Sequence, residues 1–255
     1  MPVELSLTPT TRDGLVVYEI EPVRALGVDA FITGRSGGVS GEPYDSLNLA
    51  THVGDNLAHV LENRRRVARA IGVDADRLIT AQQVHGDDVL EVVEAPHEYV
   101  GDGLVTSRSD LALAILVADC VPVLLVDPRD GRFALAHAGW RGLYHGVLDS
   151  AAARFLDPRR MHAVVGPAIS LERYQVGPEV AEQFTHVPGA VVADEGDRSR
   201  LDLAAVTIHQ LRALGVEDER ITRVRDVTDD TSKFFSDRAA RPCGRFALVA
   251  RRAVA

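Results

Sequence analysis

A thiol and a small set of imidazoles are the residues of this chain best suited to chemistry. Cys120 lies in Ala118-Asp119-Cys120-Val121-Pro122, which opens one strand of an expected β-hairpin. His137 lies in Ala136-His137-Ala138-Gly139-Trp140-Arg141-Gly142, which closes the other. A third segment, Gln82-Gln83-Val84-His85-Gly86, ends an earlier strand. One thiolate with two imidazoles makes a three-ligand set for a soft divalent metal and leaves a fourth position open, the pattern of a catalytic site. Counting supports part of this arrangement. Asp127-Pro128-Arg129-Asp130-Gly131 is a strong turn signal. With a loop of about three or four residues, position 127 pairs with 131 or 132, and 121 or 122 stands opposite His137. Directly opposed Cβ atoms lie about 4.5–5.5 Å apart, so Cys120 is a step or two from that contact. Its aim stays open, because a one-residue slip reverses every side chain. His85 is not placed by counting.

His137 also stands just before an expected helix start. The amides of Ala138 to Gly142 would then form an anion site, strengthened by the forked donors of Arg141. Each residue has a plainer reading. A lone cysteine after a buried strand packs as a small hydrophobe, and Trp140 packs over the helix start. His52, His59, His97, His145, His162, His186 and His209 read as ordinary hydrogen-bonding turn residues.

The elements that must position these residues alternate along the chain. Residues 15–20 and 29–33 read as short strands, followed by a glycine-rich loop from Gly34 to Gly41. That loop lacks both nucleotide-binding glycine patterns. A helix capped by Asp55 or Asn56 carries Leu57, Val60, Leu61, Arg64, Val67, Ala68 and Ile71 at helical spacing and stops at Gly72. Its Arg64-Arg65-Arg66 run reads as a solvated face with one arginine folded over the core edge, in preference to a phosphate clamp. Strands are expected over 78–84, 89–93, 111–117, 121–126 and 132–136, then a helix from about Gly142 with Leu143, Val147, Ala151 and Phe155 on one face. A strand at His162–Val165, a short helix from Pro178, a helix over 202–214 closed by Gly215 and a strand at Phe246–Arg252 complete the reading. This mixture predicts an α/β (mixed α+β) fold, a layered sandwich of mixed β-sheets with helices on the outer faces.

Composition narrows the function classes. The chain has 255 residues, 46% of them hydrophobic, with no linker, charge block or internal repeat, so one domain over residues 1–255 is expected. Its net charge of −9 comes with five Tyr, seven Phe and one Trp, which argues against a nucleic-acid partner. An anionic substrate would need locally placed arginines. The first ten residues lack a signal-peptide pattern. The longest apolar run, 111–126, is interrupted by Asp119 and Pro122 and is too short to span a bilayer, so no membrane association is expected. Two cysteines exclude a disulfide framework, and a reduced, cytoplasmic compartment is expected. Cys243 reads as a loop thiol.

Taken together, several segments resemble the laccase-domain family, also called the multicopper polyphenol oxidoreductase or purine nucleoside phosphorylase family. They include Thr33 to Ser40, Ser46-Leu47-Asn48-Leu49, His52-Val53-Gly54-Asp55, Glu62 to Arg66, Gln83-Val84-His85-Gly86 and Asp102 to Thr106. Ala118 to Pro122, His137 to Gly142, Gly166 to Ile169, Tyr174 to Gly177 and Phe234-Phe235-Ser236 continue the match in order. The resemblance implies a layered α/β fold and a zinc bound by His85, Cys120 and His137. It also implies phosphorolysis of adenosine, inosine and methylthioadenosine, with adenosine deamination alongside; some relatives are described as laccases or as editing enzymes of peptidoglycan precursors. The chain departs from the family pattern at Val227-Thr228, where relatives tend to show Cys-Thr, and at Asp237-Arg238-Ala239, where they show Tyr-Arg-Arg.

The chemistries so implied differ in their demands. A four-copper laccase needs paired His-x-His motifs, and this chain has nine histidines and none so paired. A single Cys-His-His site would still bind adventitious copper strongly. For phosphorolysis, Arg141, the helix-start amides and Arg35 are candidates for holding phosphate, and Asn48 for the base or ribose. Zinc would polarise phosphate or purine, or activate water for deamination. The zinc-deaminase signature with its Glu is missing, which leaves Asp119 as either a proton shuttle or the partner of a histidine ligand. The alternatives are a metal-free cysteine hydrolase or amidase using Cys120 and His137, and a non-catalytic zinc-stabilised binding protein. The expected partners are purine nucleosides and phosphate, on a monomer or homodimer.

Overall fold

The strands that carry Cys120 and His137 are apolar on both faces. Val121–Asp127 is buried throughout and Arg132–Ala138 nearly so, which requires packed layers on each side. A computed structural model describes residues 1–95 and 99–253; His97 lies outside them. The two strands sit at the centre of a seven-stranded mixed sheet, in the order Val3–Leu5, Ile221–Val224, His162–Val165, Val121–Asp127, Arg132–Ala138, Gly103–Thr106, Val89–Glu91. A six-stranded mixed sheet runs Pro9–Arg12, Leu15–Glu19, Val28–Thr33, Phe246–Arg252, Ala112–Val117, Leu78–Ile79.

Alternation along the strands sorts side chains between layers. Leu124, Val126, Leu135 and Val164 of the first sheet meet Ile32, Leu113, Ile115 and Leu248 of the second in one cluster. On the far side of the seven-stranded sheet, Val123, Leu125, Ala134 and Ala136 pack under helices. The helices are α1 (Leu57–Ile71), α2 (Trp140–His145), α3 (Val147–Ala152), α4 (Pro178–Ala181) and α5 (Leu203–Ala213). Leu143 of α2, Val147 of α3 and Val206 and Leu211 of α5 cover that face. Val67 and Ile71 of α1 cover the outer face of the six-stranded sheet against Phe31, Ala114 and Val249. The result is helix, sheet, sheet, helix, the layered arrangement expected. Among the described residues no helix is long and apolar enough to cross a membrane.

Local chemistry explains where the elements begin and end. The Asn56 side chain caps α1 by accepting from the Ala58 amide, and Gly72 ends it at φ 78°. Arg64 folds back to donate from Nε to the Leu49 carbonyl at 2.8 Å, the packed role expected for one arginine of that run. The glycine-rich loop is a connection: a Cβ at Gly38 would collide with the Ser46 backbone. The helix expected to run from Gly142 past Ala151 is instead broken at Gly146, whose φ of 94° is a conformation that glycine adopts without the Cβ penalty. The strand expected over 78–84 is also divided. Leu78–Ile79 edges the six-stranded sheet, whereas Ala81–Gln82 pairs with Tyr99–Val100 in a separate ribbon.

Candidate metal centre and its cavity

Cys120 occupies the crossover between the two large sheets. The chain leaves the six-stranded sheet at Val117 and enters the other at Val121, so Ala118, Asp119 and Cys120 bridge the layers. Asp119 takes a φ of 86° to make that turn. The hairpin register is the one the turn predicts, with Asp127 opposite Arg132 and Pro122 opposite His137. His85 arrives from a third direction. The Gln83 side chain donates to the Leu116 carbonyl at 2.8 Å and accepts from its amide at 2.9 Å, continuing the sheet pairing with an amide side chain. This docks the His85 loop against the end of the Ala112–Val117 strand.

The donor atoms of His85, Cys120 and His137 all lie within 4.8 Å of one another. Among the described residues this is the one such group of His, Cys, Asp and Glu side chains. Space for it depends on Gly139, where a Cβ would stand 2.9 Å from Cys120 Sγ and 3.4 Å from His85 Cδ2. The buried carboxylate of Asp102 organises the group. It accepts from the amides of Val84 (3.1 Å), His85 (2.9 Å) and Gly86 (2.7 Å) and engages His137 Nδ1 at 2.8 Å. These bonds hold His85 at its left-handed φ of 62° and leave Nε2 of His137 for a metal. The role considered for Asp119, partner of a histidine ligand, therefore belongs to Asp102. Asp119 instead accepts from Thr228 Oγ1 at 2.6 Å and from the Arg238 amide at 2.7 Å.

The electrostatics suit a thiolate. Burial alone would raise the Cys120 thiol, but the charge of His137 and hydrogen bonds from both histidines outweigh it and bring it down to about 6. Burial works against the His137 imidazolium too, yet the Cys120 thiolate and Asp102 push it up to about 9. Burial likewise opposes the Asp102 carboxylate, and its bonds to His137 and the Gly86 amide hold it below the usual range. A thiolate, an imidazole with a fixed tautomer and a second imidazole form a donor set that fits zinc or copper.

A cavity of about 420 Å³ opens over this group. Arg141 lines it, its guanidinium stacked 4.4 Å from the centre of the Trp140 ring. The helix that follows is only six residues long and Ala138 belongs to the preceding strand, so positive charge here comes from the arginine and little from a macrodipole. Arg35 and Asn48 are not brought to this cavity. Arg35 donates to the carbonyls of Asp45 and Thr231 and pairs with the Asp45 carboxylate, beside a separate groove. Asn48 is wholly buried, bonded to Ala50 and Asp55 and accepting the Arg245 amide at 3.0 Å. Its connection to the cavity is indirect, through Arg245. The lining also includes Tyr174, Arg238, Arg241, Arg245 and His52, which the sequence reading did not select. Burial and the Cys120 thiolate raise the Tyr174 phenol; burial and the charge of Arg245 lower the His52 imidazole. Of the other histidines read as turn residues, those at 59, 145, 162, 186 and 209 lie outside the cavity.

The profile described as multi-copper polyphenol oxidoreductase laccase matches residues 29–253, and the chain belongs to that family. A relative from Mycobacterium tuberculosis (strain H37Rv), named a purine nucleoside phosphorylase, is 42% identical over 225 residues, 85% of this chain and 89% of that protein. The Escherichia coli K12 protein named purine nucleoside phosphorylase YfiH is 38% identical over 230 residues, 87% of this chain and 92% of the other. Among solved structures, the hypothetical protein YfiH of Bacillus licheniformis superposes with a TM-score of 0.88 at 31% identity, over 94% of this chain and 97% of that one. YlmD from Geobacillus stearothermophilus also superposes with a TM-score of 0.88, at 29% identity over 97% and 100% of the two chains.

Proposed function

We propose that this protein is a zinc-dependent purine nucleoside phosphorylase that cleaves adenosine, inosine and methylthioadenosine with phosphate, with adenosine deamination as a side activity. The relatives' names support the reaction class. The observation that carries it is the meeting of the His85–Cys120–His137 group with Arg141 in one cavity. The Arg141 guanidinium makes no hydrogen bond or ion pair among the described residues and rests on the Trp140 ring, so its forked donors are available to a phosphate dianion. In phosphorolysis a phosphate oxygen bonds C1′ as the C1′–N9 bond breaks, and the purine departs with that electron pair and takes up a proton. Arg141 would hold and orient the attacking anion. Asp102 keeps His137 in one tautomer and fixes the His85 loop, and the buried sheet junction keeps water from the inner side of the site. Held by His85, Cys120 and His137, zinc would supply Lewis-acid polarisation. Asp119, with both oxygens bonded to the protein, serves as a positioning residue in this reading. The whole chain is taken as one domain, acting as a monomer or homodimer in the cytoplasm.

A second reading has its own support. Asp102, His137 and Cys120 form the carboxylate–imidazole–thiol series of a cysteine hydrolase, and an amidase acting on peptidoglycan precursors would use it. One comparison separates the two. Inosine turnover is measured with and without phosphate, on protein of known metal content, for wild type and Cys120→Ala. Phosphorolysis predicts ribose 1-phosphate only with phosphate present, scaling with bound zinc and lost in Cys120→Ala. Phosphate-independent turnover would reject it. Amide hydrolysis by metal-free wild type, lost in Cys120→Ala, would establish the hydrolase. Copper loading that leaves phosphorolysis intact without creating phenol oxidation would reject the oxidase reading.

A further inference from the structure

Four arginines line the cavity beside the metal group, and they are not equivalent. Arg238 is held by backbone: its guanidinium donates to the carbonyls of Arg173 (3.2 Å) and Gln175 (3.1 Å) and lies over the Tyr174 ring. Arg241 and Arg245 are both held by one carboxylate. Asp237 accepts from Arg241 Nε at 2.6 Å on one oxygen and from Arg245 Nη2 at 3.0 Å on the other. The remaining Nη1 of Arg245 donates to the carbonyls of Cys243 and Gly244, each at 3.1 Å. Asp237 is fixed in turn. The next amide, that of Arg238, donates to Asp119 at 2.7 Å, and the amides of Ala239 and Ala240 bond back to Ser236. Asp237 itself lines the cavity, where its carboxylate pairs with two guanidinium groups.

We propose that Asp237 is a specificity-determining residue that limits the negative charge the cavity accepts. It engages Arg241 through Nε and Nη2, leaving Nη1 of that exposed side chain unpaired, and Arg245 through Nη2, so among the described residues Arg141 is the lining guanidinium that no carboxylate or carbonyl holds. The cavity then takes inorganic phosphate beside an uncharged nucleoside and turns away a nucleoside that carries a phosphate of its own. Selectivity of this kind needs a repulsive element as well as an attractive one, and a carboxylate in the wall supplies it. The inference rests on the nucleoside reading given above.

Trp140 is the sole tryptophan of the chain and lies under Arg141, so its fluorescence reports binding without turnover. The metal-loaded protein is titrated with inosine and with inosine 5′-monophosphate, as wild type, Asp237→Asn, Asp237→Asn with Arg241→Gln, and Asp157→Asn. The last removes an acidic charge outside the cavity. Wild type is expected to bind inosine and to bind the monophosphate at least about tenfold more weakly. Asp237→Asn should leave the inosine Kd within about threefold and tighten the monophosphate by about tenfold or more, the effect of one charge-assisted hydrogen bond gained. Adding Arg241→Gln should return part of that gain, and Asp157→Asn should change neither Kd. The proposal is overturned if inosine still binds Asp237→Asn but monophosphate affinity is unchanged, or if Asp157→Asn gives the same gain. Loss of inosine binding in Asp237→Asn alone would make Asp237 a structural clamp and also overturn it. Failure of wild type to bind inosine at all would instead reject the nucleoside reading, and this proposal with it.

Discussion

Asp102 accepts four hydrogen bonds while wholly buried, two at each oxygen. Asp102→Asn would turn an NH2 group toward donors and leave His137 less firmly oriented. Metal affinity is expected to fall about 10–100-fold, the usual loss when such a partner is removed, and chelator competition measures it. Unchanged affinity would show that Asp102 does not support the ligands. The protonation of the metal-free site sets a second expectation. With Cys120 at about 6 and His137 at about 9, the pair between these values is thiolate and imidazolium. A metal needs the imidazole neutral, so binding expels one proton from His137 in that window. Affinity should rise about tenfold per pH unit from 6 to 9, level off above 9, and fall more steeply below 6, where Cys120 must also deprotonate. Zinc titrations at several pH values check this, and a flat profile from 6 to 9 would contradict it. None of this coupling shows in the sequence. A carboxylate at position 102 and imidazoles at 85 and 137 share no period, and only folding brings them together. Arg35 and Asn48 illustrate the converse: a polar side chain that ties its loop to a distant segment, as these do to Thr231 and Arg245, looks in sequence the same as one reserved for a ligand.

At the scale of elements, three backbone segments converge on Gly139. Gly139→Ala would set a methyl 2.9 Å from Cys120 Sγ, within the space the ligands occupy. The expected outcome is loss of bound metal with the melting temperature of the metal-free protein shifted by no more than about 4 °C, the shift for about 1 kcal/mol in a domain of this size. Metal analysis and thermal melts together test it; full metal occupancy in the variant would refute the crowding argument. The hairpin that brings Cys120 to His137 was legible because Asp127-Pro128-Arg129-Asp130-Gly131 fixes both the turn and the count. The break at Gly146 was not, since Leu143, Val147 and Ala151 keep to one face of the packing across it. Periodicity therefore reported the buried face correctly and missed the interruption.

For the molecule as a whole, the layered order followed from strands apolar on both faces, which demand a layer on each side. Short, partly exposed strands such as Val3–Leu5 and Val191–Ala193 carry too little pattern to be recognised, because pairing with neighbouring strands defines them more than their own residues do. The junction between the sheets should dominate stability. Leu124 is fully buried there, and Leu124→Ala is expected to cost about 2–5 kcal/mol, measured by denaturant unfolding of the metal-free protein. A loss below about 1 kcal/mol would mean that the sheets repack freely. His85 is exposed at the tip of its loop, whereas only 4% of His137 is exposed, at the sheet junction. The trio is thus graded from surface to interior, and the grading imposes an itinerary. An ion entering from solvent would meet the outer imidazole before the thiolate and the buried ring, and would leave in the reverse order. The lifetime of an ion held here, as distinct from its affinity, would then depend on withdrawal of the exposed His85 more than on the two inner ligands.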